Sequence, residues 1–410
     1  MAREGDPAPG LRPVRANVVS VIFSYGFRTF FSLAAIFSPL AIAAWLGIYS
    51  GAIKPISAYA PNLWHAHEML FGYAAAVLTG FLLTAIPNWT GAAPLRGRPL
   101  VILALLWLAG RAAIWSMPLV PPAVAAAIDI SFFIVLGLIL VPSLTQGARK
   151  NLIFLVVLAF LAAANLLFHL EALGLADTGS LGLNLGVDLF ALLIAIIGGR
   201  VTPSFTANAL RAGAEAQGAS PLAIKSHPSL DKAAILSIAI VAICEFFAHG
   251  EEWVGWVALT AAAINAVRMA GWQTRRTFFQ PLLWVLHLGY AWLVAGLAVK
   301  GVAALTGTLP GTVALHGITI GAIGTMTLAM MSRASLGHTG RALAAGRALA
   351  FAYILISLAA IVRLAMPVLL PDRYPESVTI AGTLWIAAFA IFAVLFIPIL
   401  IGPRADQRPG

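Results

Sequence analysis

Residues 61–91 read PNLWHAHEMLFGYAAAVLTGFLLTAIPNWTG, and this stretch decides the fold. Two histidines and a glutamate, His65, His67 and Glu68, stand at the mouth of a long apolar run that Pro87-Asn88-Trp89-Thr90-Gly91 closes. A run of about twenty apolar residues is what a helix needs to cross a hydrocarbon core. An ionised side chain inside hydrocarbon costs roughly 2.5–3.5 kcal/mol on insertion scales, so such groups persist only where they have a partner. Imidazole is the commonest metal ligand. The stretch therefore asks what His65 and His67 hold.

The rest of the chain has the same character. It is 61% hydrophobic and 10% charged over 410 residues, whereas a soluble domain carries about 25% charged residues. This is the composition of an all-α, polytopic membrane protein. Twelve apolar spans follow one another, at roughly 29–49, 66–88, 99–117, 121–142, 150–173, 182–203, 233–249, 253–270, 279–299, 311–332, 343–366 and 378–401. With both termini cytoplasmic, twenty of the twenty-five basic residues fall on the inner side; Lys54, Arg111, Lys300, Arg363 and Arg373 are the remaining five. This is the bias expected of a bacterial inner-membrane protein, and it explains the net charge of +10 without any nucleic-acid partner. The first 28 residues are polar and basic and do not read as a cleavable leader. The single cysteine, Cys244, excludes an internal disulfide.

Three parts of the chain resemble one another. Arg28-Thr29-Phe30-Phe31 opens the first span, Arg276-Thr277-Phe278-Phe279 the ninth, and Lys150-Asn151-Leu152 the fifth more loosely. The following spans end in Pro87-Asn88-Trp89-Thr90, Pro203-Ser204-Phe205-Thr206 and Leu336-Gly337-His338-Thr339, at 62, 56 and 63 residues from the opening basic residue. The spans group as three pseudo-repeats of four helices, 28–145, 149–270 and 275–402, within one transmembrane domain. In this register His67 falls on His316 and Gly72 on Gly321, both 249 residues on. Residues 204–231 read as a cytoplasmic loop, and RADQRPG at the C-terminus as a solvated tail. Trp64 and Trp89 bracket the second span as interfacial anchors do.

With the topology set, the intramembrane polar residues lie toward the periplasmic side. Two residues apart on a helix is a rotation of about 200°, so His65 and His67 point in opposite directions. The exception would be a helix that starts later than Asn62, which suits a cap after Pro61. His67 and His316, at equal depth, are the expected axial pair of one haem, and Arg111 or Arg363 the expected partner of its propionates. His65, His287, His169 and His249 are candidates for a further haem or a copper ion. Glu68 and Asp188 are candidate proton donors, or groups that orient a histidine; of these Glu68 is the expected catalytic acid. The methionines Met69, Met326, Met330 and Met331 read as packing residues.

WHAHEMLFGYAAAVLTGFLLTAIPNWTG, GGRVTPSFTANAL and HGITIGAIGTMTLAMMSRASLGHTGR resemble the NnrS family over nearly the whole chain. The resemblance implies an inner-membrane protein with haem b and copper, associated with denitrification and relief of nitric oxide stress. At the level of architecture the pattern is also similar to the core subunit of haem–copper oxidases and nitric oxide reductases. There, histidines of the second and tenth helices hold a haem, but the copper ligands of the sixth and seventh helices have no counterpart here. The expected function is a haem protein that binds nitric oxide or protects against it at a periplasm-facing site. The alternatives are a quinol-linked nitric oxide reductase and a transporter of a small solute or metal; whether the protein is an enzyme stays open.

Overall fold

The computed structural model describes residues 17–55, 57–117, 119–146, 151–216, 218, 223–224 and 227–408. The sequence readings that rest on Pro118, Arg149, Lys150, Lys225 and the first sixteen residues lie outside them. Among the described residues all regular structure is helical. A short helix, Val18–Ile22, precedes twelve long ones. These are α1 (Gly26–Tyr49), α2 (Pro61–Thr90), α3 (Arg98–Trp115), α4 (Pro122–Gln146), α5 (Ile153–Ala172) and α6 (Gly179–Glu215). They continue as α7 (Pro228–Phe247), α8 (Glu252–Ala270), α9 (Pro281–Thr306), α10 (Gly311–His338), α11 (Arg347–Leu369) and α12 (Tyr374–Ile401). Eleven of the described helices are long and apolar enough to span a membrane. Helix α7 stands outside that set because it carries three charged residues, Asp231, Lys232 and Glu245.

The ends follow local chemistry. Pro61, Pro228 and Pro281 occupy first turns, where a missing N–H costs nothing. Gly91 closes α2 in a left-handed conformation at φ 76°, which a residue with a Cβ adopts only at a cost. One expected boundary is corrected: α6 runs on to Glu215, so 204–215 are helical and not part of a loop. The segment TANALRAGAE is rich in alanine, with arginine and glutamate among it, and these are good helix formers that need no membrane.

Burial sorts the helices. Of the most apolar window of each, 83% is buried in α2, 78% in α6 and 72% in α10, against 56% at most elsewhere. These three helices form the centre of the bundle, and the others surround them. The outer helices turn residues such as Leu138, Phe160 and Val394 outward, as a lipid-facing surface requires.

The same three helices share a further feature. Each carries a wide, π-helical stretch: Glu68–Ala74 in α2, Ile194–Gly198 in α6 and Gly317–Gly324 in α10. A π-bulge disturbs the regular hydrogen-bond ladder, and in a membrane each carbonyl set free needs another donor. Side chains reach carbonyls in all three stretches. Trp107 Nε1 donates to the Gly72 carbonyl at 3.1 Å, Arg268 Nη1 to the Ala195 carbonyl at 2.8 Å and Thr327 Oγ1 to the Ile323 carbonyl at 2.6 Å. His67 and His316 each stand immediately before such a stretch.

Chain ends join the ring of helices. Arg28, fully buried at the start of α1, donates through Nη1 to the carbonyls of Leu400 and Gly402 at 2.8 and 2.7 Å. The C-terminal tail is exposed from Ala405 to Arg408, as expected of a solvated segment, and it is also tethered: Arg404 donates to the His338 carbonyl at 2.8 Å and the Ala405 amide to that of Thr339 at 2.9 Å. Hydrogen bonds from Arg404 hold the Asp406 carboxyl well below the usual carboxylate range. Trp64 also departs from expectation. It is buried edge-on against Trp115, with ring centroids 5.1 Å apart, and is no interfacial anchor.

Candidate functional site

The first turns of α2 carry two sites, one on each side. His65 and His67 diverge as the helical geometry requires. His65 faces α1, where its ring stacks on Trp45 with centroids 4.7 Å apart and planes 17° from parallel. It lines a cavity of about 510 Å³ between α1, α2, α6, α10, α11 and α12, within the range of about 300–1,000 Å³ typical of small-molecule sites. His316 of α10 and Arg363 of α11 line the same cavity. Apolar and aromatic groups make up most of the remaining wall, among them Trp45, Tyr73 and Trp385.

Three polar groups of this cavity are set up for a ligand. His316 uses Nδ1 to donate to the Thr312 carbonyl one turn back. That bond fixes the tautomer and leaves Nε2 with a free lone pair. His65 Nδ1 and Arg363 Nη1 are buried without a hydrogen-bond partner. Arg363 is otherwise held by Tyr374, whose hydroxyl accepts from Nη2 at 2.5 Å. A buried guanidinium N–H left open is costly, and it marks a place for an anionic group.

His67 points the other way, into a sealed polar knot. Its Nδ1 lies 3.0 Å from Glu68 Oε1 and its Nε2 lies 3.0 Å from Asp129 Oδ2. His169 of α5 brings Nε2 to the same Asp129 oxygen at 3.1 Å, and Asn165 one turn earlier donates to it at 2.8 Å. The other nitrogen of His169, Nδ1, meets the hydroxyl of Tyr59 at 2.6 Å. Arg111 of α3 bridges the second oxygen of Asp129 and Oε1 of Glu68, and Trp115 donates to Glu68 Oε2 at 2.6 Å. All of these but Trp115 and Tyr59 are charged or polar groups with at most 5% of their surface exposed.

Glycine makes the bridge possible. A Cβ on Gly72 would lie 3.1 Å from Arg111 Nη1 and 2.8 Å from the Phe37 ring, so only a bare backbone lets the guanidinium lie across α2. The knot holds two carboxylates against one guanidinium. The remaining negative charge needs either a proton on an imidazole or a bound cation. One ligand atom from each of His67, Asp129 and His169 can be chosen so that all lie within 4.8 Å of one another. That is the spacing of groups able to close on one ion.

Several expectations are corrected here. The His67–His316 pair does not form: His67 belongs to the knot and His316 shares the cavity with His65. Arg111 is committed to Glu68 and Asp129, so Arg363 is the arginine open to a ligand. Glu68 is fixed by three donors, which makes it an orienting acceptor for His67 rather than a free acid. His169, His249 and His287 do not assemble. His249, just past the end of α7, bonds Glu245 of that helix at 3.0 Å, and His287 lies between the hydroxyls of Thr206 and Thr274, both at 2.9 Å. Asn165, Tyr59 and Lys300 are not among the expected site residues. For Asn165 the signal was present: it sits four residues before His169, on the same helix face.

The family model for NnrS protein matches residues 21–404. No curated protein matches the chain.

Proposed function

The chain belongs to the NnrS family, and from that premise we propose that this nitric-oxide-related membrane protein carries haem in the His65–His316 cavity. There it binds nitric oxide or protects against it. The observation that carries the reading is the cavity itself: two imidazoles and an arginine with an open N–H on a wall that is mostly apolar. Haem asks for this combination, an apolar enclosure for the ring, imidazole for the iron and a cation for the propionates. His65 and His316 would hold the iron and Arg363 the propionates. The group would supply an iron centre for a diatomic ligand or for electrons. The residues around it bind, orient and exclude water. By the charge bias of the loops the cavity faces the periplasm.

The knot fits the family's second metal. Imidazole nitrogen and carboxylate oxygen suit copper and zinc, and every ligand has an outer partner: Glu68 for His67, Tyr59 for His169 and Arg111 for Asp129. Such partners orient the ligating atoms and set their tautomers. His67, His169 and Asp129 would then hold one copper ion. Metal quantitation on the purified protein is expected to find about one ion per chain, with losses of about tenfold or more in occupancy in His169→Ala and Asp129→Asn. Unchanged metal content in both variants would remove the assignment.

The test of the whole reading is spectroscopic. Purified protein is expected to show a Soret band that shifts on addition of nitric oxide. A colourless preparation from haem-replete cells would overturn it and favour a solute transporter. Consumption of nitric oxide with a quinol as electron donor would extend it to an oxidoreductase.

A further inference from the structure

A third polar group lies apart from both sites, where α6, α7 and α9 meet. Lys300 Nζ stands 2.7 Å from Asp188 Oδ1 and 3.5 Å from Glu245 Oε1. Glu245 Oε2 is in turn 3.0 Å from His249 Nδ1. Exposure falls inward along this line: the side chain of His249 is 63% exposed, Glu245 and Lys300 10% each and Asp188 2%. The four groups thus run from the surface of the bundle to a buried carboxylate. The plain reading is an ion pair that ties three helices together.

Three facts go beyond that reading. Two carboxylates face one ammonium, so the cluster carries a surplus negative charge in an apolar setting, where a proton relieves the cost. Asp188 Oδ2 is buried without a hydrogen-bond partner, an acceptor left open at the inner end. And the inner end adjoins the cavity wall: Leu183, Asn184 and Val187, immediately before Asp188 on α6, line the cavity. Helix α9 likewise packs through Gly296 against Gly317 and Ile318, next to His316. Lys300, Glu245 and His249 are the charged groups that act on Asp188. Glu171 of the adjoining α5 is occupied by the Gly179 amide at 2.7 Å.

We propose that His249, Glu245, Lys300 and Asp188 form a proton relay from the bundle surface to the wall of the cavity. His249 takes a proton from water on Nε2 and gives the one on Nδ1 to Glu245 Oε2. Lys300 passes a proton to Asp188 Oδ1 and recovers one from Glu245, whose carboxyl turns to bring its proton from the His249 side to the Lys300 side. One proton moves inward, and Lys300 is an ammonium before and after. The relay rests on the cavity reading for its purpose alone, since it can be measured in protein that holds no cofactor.

The experiment is infrared spectroscopy of the full chain in lipid vesicles, with exchange from H₂O into D₂O. Lowering the pH is expected to bring up a buried carboxyl C=O band that Asp188→Asn removes. Its deuterium exchange should be at least tenfold slower in Glu245→Gln and in His249→Ala. Lys300→Arg is the decisive variant. It preserves the ion pair and so the packing, but a guanidinium does not give up its proton, and exchange should slow to the same degree. No Asp188 band at any pH, or exchange as fast in Lys300→Arg and Glu245→Gln as in the parent, would overturn the relay. Haem content is measured in the same preparations. Its absence would count against the cavity reading and leave the exchange rates to decide on the relay.

Discussion

His316→Ala and His65→Ala are each expected to strip haem from a protein that stays folded. Both rings line a cavity and are only part-buried, so neither removal leaves a sealed void or an unpaired charge. Loss of a group that merely orients a metal ligand costs roughly 10–100-fold in affinity; loss of the ligating imidazole should cost more. The measurement is haem per protein after purification, with thermal unfolding as a check on the fold. His67→Ala is the contrasting variant and is expected to keep its haem, because His67 lies outside the cavity. Full haem content in both cavity variants, or loss confined to His67→Ala, would return the assignment to the helix-depth argument that the structure displaced.

Arg111→Ala should produce the largest loss of stability of any single substitution in the protein. It leaves Glu68 and Asp129 facing one another in the interior without their shared counter-ion. Removing one partner of a buried ion pair costs about 3–5 kcal/mol, against a total of about 5–15 kcal/mol for a typical domain. Arg111→Lys should recover little, since an ammonium cannot reach two carboxylates as a planar fork does. Adding Glu68→Gln and Asp129→Asn to Arg111→Ala should restore part of the loss, because the orphaned charges go with the cation. Melting temperature and yield in detergent read all three. A variant Arg111→Ala that melts like the parent would mean that the knot contributes no stability.

Much of the fold was legible because hydropathy and charge bias act on whole helices. Twelve long helices, eleven of them fit to span a membrane, and the divergence of His65 from His67 follow from length, loop charge and a rotation per residue. The partnership of His67 was not legible, and the reason is geometric. Equal depth says how far along a helix a residue lies, and not which way its side chain turns around the bundle. The π-helical stretches also left no trace. They lie in the three most buried helices, where apolar residues surround the backbone and no polar face marks its phase. Asn165 and Tyr59 escaped notice because an amide and a phenol carry no charge for topology arguments to register.

The placement of His65 and His67 two residues apart has a consequence for how the protein responds. One short turn of backbone carries both imidazoles, each pulled toward a different chamber. Anything that draws one ring by a fraction of an ångström tilts the peptide planes beneath the other. Linked binding in the two chambers is the expected result, and linkage is reciprocal: if filling one alters affinity in the other by some factor, the reverse holds by the same factor. Titrating either chamber with its neighbour full and then empty would read that factor, and with it the sense in which one occupant reports on the other.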